Sequence, residues 1–124
     1  MHENELSSSI IGAAIEVHRL FGPGFLESVY EEALCVELAL HDIPFARQVP
    51  VGVRYKGEQV GEARLDLLVH DSLVVELKTV ESIAPIHWAQ VLSYLKATRL
   101  RLGLLINFNV SVLQRGIKRV VQTP

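Results

Sequence analysis

Residues 64–78 read RLDLLVHDSLVVELK, two apolar strands joined by a short polar turn, with Asp66, Glu76 and Lys78 set among leucines and valines. A charge taken out of water without a partner costs several kcal/mol, so such residues are exposed, paired, or gathered on a metal ion. Side chains alternate along a strand, which puts Glu76 and Lys78 on one face and Leu77 on the other. A turn at His70, Asp71 and Ser72 sets opposite each other the residues whose numbers sum to 142, so Asp66 faces Glu76. Facing Cβ atoms lie about 5 Å apart. Two carboxylates at that separation repel unless a cation sits between them. Hard oxygen donors with no thiolate nearby favour Mg²⁺ or Mn²⁺ over zinc. A turn moved by one residue would carry Asp66 to the other face and remove the site, so the expectation depends on register.

The chain around this stretch has 124 residues, 49% of them hydrophobic, enough for one domain over residues 1–124 with its own core. Its apolar runs are broken by charges before they reach the length of a membrane span. The start, MHENELSSS, is polar and acidic, unlike a signal peptide, and a lone cysteine, Cys35, fits a reducing cytoplasm. Cys35 stands in an apolar helical context and reads as core filling. The net charge of −2 is unevenly spread: ten acidic and four basic residues in 1–62 give −6, four and eight in 63–124 give +4. Lys96, Arg99, Arg101, Arg115, Lys118 and Arg119 in the second half either form a phosphate-binding face or are a dispersed solvated surface.

Apolar spacing predicts a helix over Ser7 to Phe21, with the serine cluster as N-cap, and a second over about Leu26 to His41. Gly22-Pro23-Gly24 separates them; it lacks the lysine and preceding strand of a phosphate-binding loop and reads as a turn. On the second helix Leu26, Val29, Ala33, Val36 and Leu40 form one apolar stripe. Glu27, Glu31, Leu34 and Leu38 form another column, which sets Glu27 at the rim of a buried face; the plain alternative is an acidic residue favoured by the helix dipole. Residues 48–55 and 59–68 read as strands joined at Lys56-Gly57-Glu58. A third helix runs from about Ile86 to Thr98 after Pro85, with Trp88, Val91, Leu92 and Leu95 as its apolar stripe and His87, Gln90 and Tyr94 on an adjoining face. Residues 102–108 form a run suited to a strand covered on both faces, and Ile117 to Val121 an edge strand.

An Asp in one strand followed by Glu-x-Lys in its antiparallel neighbour resembles the PD-(D/E)XK nuclease superfamily. Gly24-Phe25-Leu26-Glu27-Ser28-Val29-Tyr30, with VELKTVE at 75–81 and LLINFNV at 104–110, resembles the GxxExxY family, a branch of that superfamily. Gln90-x-x-x-Tyr94 is similar to the QxxxY motif of RecB-like nucleases, whose helix lies beside the metal site. The resemblance implies a restriction-endonuclease-like α/β core: a mixed central sheet flanked by helices, in the order ααβββαβ. It implies phosphodiester hydrolysis with Asp66 and Glu76 holding Mg²⁺ or Mn²⁺, Lys78 balancing transition-state charge, Glu27 completing the metal shell, and Gln90 and Tyr94 fixing the substrate backbone. Nucleic acid is the implied partner, and homodimerisation would offer two sites to two strands. Leu65 stands where the superfamily name has proline. Three readings stay open: a nuclease on DNA or RNA, a non-catalytic nucleic-acid-binding module, and a protein-interaction domain in which Lys78 merely neutralises Glu76.

Overall fold

In a computed structural model, which describes residues 2–123, both hairpin turns rest on left-handed backbone. His70 and Asp71 each have φ near 55°, and Lys56 and Gly57 have φ 51° and 86°. Paired positive φ angles match the right-handed twist of the flanking strands. The Ser72 N–H donates to the Val69 carbonyl, and the His70 N–H reaches back to Pro44. This turn sets the pairs Leu67↔Val75, Leu68↔Val74 and Val69↔Leu73, the register read from the sequence.

The elements follow as α1 (Glu3–Phe21), α2 (Glu27–Leu40), β1 (Phe45–Tyr55), β2 (Glu58–Val69), β3 (Leu73–Lys78), α3 (Pro85–Thr98), β4 (Leu102–Asn107), a 3₁₀ turn (Leu113–Gly116) and β5 (Ile117–Val121). The strands form one sheet in chain order; β3 and β4 pair in parallel through the α3 crossover, and the other neighbours are antiparallel. Every residue of β4 is buried, as a strand covered on both faces requires. One face carries the larger core, with Leu6, Ile10, Ala14 and Val17 of α1 and Tyr30, Leu34 and Leu38 of α2 against Leu67, Val75, Leu77, Leu104 and Ile106. The other carries a smaller core in which Val91 and Leu95 of α3 meet Leu65, Val74, Leu105 and Val120. Gly103 admits α3 closely: a Cβ there would stand 2.8 Å from Val91 Cγ1. No helix among the described residues is long and apolar enough to cross a membrane.

Two expectations are corrected, the start of α1 and the burial of Trp88, and the choice of buried face left open on α2 is decided. Helix α1 begins four residues before Ser7, with His2 as its N-cap accepting from the Asn4 N–H (3.1 Å). Imidazole supplies the acceptor that the serine cluster was expected to supply. On α2 the buried side is the column containing Glu31, Leu34 and Leu38, whereas Leu26, Val36 and Leu40 are 74%, 59% and 70% exposed. The wheel offered two apolar columns, and the partners that β1 offers the buried Glu31, among them the exposed Arg47, selected between them. Glu31 accepts from Arg47 Nη2 and Gln48 Nε2, both at 2.8 Å, which lets a carboxylate lie under the helix and turns the neighbouring leucines inward. Trp88 of α3 is likewise mostly outside the core, leaving Val91 and Leu95 as its buried residues.

Candidate functional site

The β2–β3 ladder stops after Leu67↔Val75. Beyond it the two carboxylates occupy the seam in place of backbone bonds. The Asp66 N–H donates to Glu76 Oε1 (3.0 Å), and the Leu77 N–H donates to Asp66 Oδ2 (2.9 Å). The strand also changes face at this point: Leu67 enters the core under α1 and α2, while Leu65 enters the core under α3. Opposite, on β1, the pairs Arg47↔Leu67 and Val49↔Leu65 leave Gln48 between them in a left-handed conformation (φ 50°). Asp66 therefore sits at an interruption on both sides of β2, where the sheet has backbone donors to spare. One oxygen of each carboxylate is held by a backbone N–H, and no other N–H or hydroxyl among the described residues donates to either group.

Glu76 is 3% exposed. Burial pushes its carboxyl up to about 8, aided by the adjacent Asp66 charge and by a hydrogen bond that the protonated acid gives Asp66; Lys78 pulls the other way. Desolvation beside a like charge makes an ion pocket that a bound cation would relieve. Lys78, two residues along β3, is half-buried and forms no salt bridge among the described residues, so it does not act as a direct counterion to Glu76. Its position is held from behind: its carbonyl accepts the Phe108 N–H (3.0 Å), and buried Asn107 accepts from the Val80 N–H (3.1 Å) and donates to the Val80 carbonyl (2.9 Å).

The other expected residues divide. Tyr94 packs against the smaller core, and its hydroxyl is pushed up by burial first and then by the Glu76 and Asp66 charges. Gln90, one turn earlier, is exposed on the flank. His87 is a helix cap, its Nδ1 accepting from the Ala84 N–H (3.0 Å). Glu27 opens α2 and lies in the field of the pair: burial raises it first, then Asp66, with Lys78 opposing. It does not close a three-carboxylate cluster, for among the described residues no three His, Cys, Asp or Glu side chains gather at metal-holding distance.

Tyr30 was quoted in the sequence motif without a role. It is wholly buried, stacked on Phe108 at 4.5 Å, and its hydroxyl donates to the Gly22 carbonyl (2.6 Å) and accepts the Phe25 N–H (3.2 Å). Tyr30 thus folds the Gly22–Phe25 loop onto α2 and fixes where Glu27 begins. Asn107 was also missed, though an asparagine inside an otherwise apolar run is a visible sign of a buried polar clamp.

A five-stranded mixed sheet between helices, with Asp66 and Glu76-x-Lys78 on adjoining antiparallel strands, defines a restriction-endonuclease-like nuclease fold. A family model of the PD-(D/E)XK nuclease superfamily matches residues 4–120, and the chain belongs to that superfamily. No curated protein and no solved structure matches it significantly.

Proposed function

We propose that this protein is a divalent-metal-dependent nuclease of the GxxExxY branch, hydrolysing phosphodiester bonds of DNA or RNA. The observation that carries the reading is the Asp66–Glu76 pair, in which each carboxylate spends one oxygen on backbone and takes no other N–H or hydroxyl donor among the described residues. Two hard oxygen donors, one of them deeply buried, fit Mg²⁺ or Mn²⁺. Asp66 and Glu76 would hold the ion, with Glu27 facing it from α2. When bound, such an ion polarises a phosphate and acidifies water.

The chain's own groups do the rest. Lys78, with no carboxylate partner, offsets negative charge gathering on the phosphate. Tyr94 donates its phenolic proton to a phosphate oxygen, and Gln90 orients the backbone without adding charge. Cys35 stays out of the chemistry: burial pushes its thiol up to about 11. Pairing of two copies would set two sites against the two strands of a duplex, which sedimentation would reveal. A reducing cytoplasm suits the single buried thiol.

Calorimetric titration with Mn²⁺, alongside cleavage of single-stranded, duplex and branched substrates, tests the proposal. Wild type binds and cuts; Asp66→Asn loses the ion and Lys78→Ala binds it but cuts poorly. Wild-type protein that cuts nothing and matches Lys78→Ala throughout leaves only a non-catalytic nucleic-acid-binding or protein-interaction role.

A further inference from the structure

The far end of α3 carries a cleft of about 490 Å³ lined by Lys96, Arg99, Leu100, Arg101, Gln122 and Thr123, with three cations and, among the described residues, no carboxylate in its wall. Lys96 and Arg99 form no salt bridge among the described residues, whereas Arg101 is shared with Glu3 (3.1 Å). A helix C-terminus ordinarily repels anions through its open carbonyls. Here that end is covered in part. The Gln122 amide donates to the Leu95 carbonyl (3.1 Å) and to that of Leu100 just past the helix (3.0 Å), and the Thr98 hydroxyl to the Tyr94 carbonyl (2.8 Å). Arg99 holds the left-handed cap position (φ 61°), where glycine would sit without strain.

The cleft also lies on a line to the carboxylates. Lys118 shares parity on β5 with Val120, which packs under α3, so it stands on the same face as the cleft. Its register partner Leu105 is three residues beyond Leu102 toward Asn107, the partner of Lys78. Leu105 is also the register partner of Glu76, so from the level of Leu102 to that of Glu76 the strand rises roughly 10 Å at 3.3 Å per residue. One B-DNA strand spans that with about three nucleotides at 3.4 Å each.

We propose that this cleft is a second phosphate-binding site, seating the nucleic-acid backbone about three nucleotides from the Asp66–Glu76 pair, with Lys118 on β5 level with Glu76. The assignment extends the nuclease reading by saying where the substrate strand runs. Its ligand is a phosphodiester, and a free polyphosphate offers related chemistry at the same cations.

Binding of labelled single strands of 2 and 12 nucleotides, in EDTA over a salt series, tests it, with tripolyphosphate as competitor. The K96A/R99A double variant should bind the 12-mer roughly tenfold more weakly at low salt. Its log–log salt slope should shrink by about 1.4, at roughly 0.7 per lost contact. The 2-mer, too short to join the two sites, and the Mn²⁺ titration should not change, and K96R should keep the 12-mer affinity of wild type. Unchanged 12-mer affinity and slope in the double variant overturn the site. So does variant-sensitive tripolyphosphate binding with no dependence on strand length, which would leave a small-anion pocket. A wild-type Mn²⁺ titration that fails while the 12-mer effect persists removes the nuclease reading and leaves the cleft standing.

Discussion

Strand β3 has two seams of opposite character. Against β4 it pairs in six consecutive positions, Leu73↔Leu102 to Lys78↔Asn107, along a strand buried throughout. Against β2 it pairs in three positions, and then the Asp66 and Glu76 carboxylates take over the backbone donors. The continuous seam makes β3 rigid, and the interrupted one lets two acids enter the sheet with their hydrogen bonds satisfied. A buried carboxylate beside a half-buried one is tolerable only where backbone N–H groups are left over, and splaying β2 from β3 supplies them.

The largest expected effect attacks the interrupted seam. Asp66→Asn keeps an acceptor for the Leu77 N–H and removes the charge. Cleavage should fall on the order of 10²- to 10³-fold, while urea stability changes by less than about 1 kcal/mol. A variant that cuts at the wild-type rate would show that the pair is architectural.

Next comes the continuous seam. Leu105→Ala removes a fully buried side chain and should cost roughly 2–5 kcal/mol in denaturation. The folded fraction should bind Mn²⁺ as before; weakened binding there would mean that the two seams are not separable.

Titration separates them more gently. Glu76 binds its proton more tightly when folded, so the stability it contributes is complete below about pH 4.5 and is lost as pH rises through about 8. Melting in EDTA from pH 5 to 9 should show Tm falling on the order of 5 °C from this group, with Glu76→Gln flattening the trend and Mn²⁺ restoring Tm at the alkaline end. A metal-free protein equally stable across that range would contradict the buried pair.

Smallest is Tyr30→Phe, which removes the bonds to Gly22 and Phe25 but keeps the ring on Phe108. Chemical denaturation should register about 0.5–1.5 kcal/mol. Cleavage should fall along with it if the loop sets the start of α2; full activity would detach Glu27 from the site.

The hairpin register was legible because Asp71 and its neighbours interrupt two apolar runs at one place, and a slip would have turned every leucine outward. The burial of β4 on both faces was legible for a related reason, since residues 102–108 carry no alternation and must be covered twice. The orientation of α2 was not. Its two apolar columns differ little in composition, and the choice fell to Arg47 and Gln48 on a strand many residues away. The start of α1 escaped because histidine is outside the usual capping set. The kink at Asp66 escaped because a positive φ at a glutamine has no composition signal.

By itself the amino-acid order determined the succession of helices and strands, the pairing of the central hairpin and the presence of Asp66, Glu76 and Lys78 on it, because periodicity and turn chemistry are local and written in neighbouring residues. Tertiary structure alone decided which face of α2 is buried, that Glu27 approaches the acids without joining them in a cluster, and that Lys96, Arg99 and Arg101 share a cleft. Those outcomes depend on partners brought in from distant parts of the chain, whose positions no local pattern encodes.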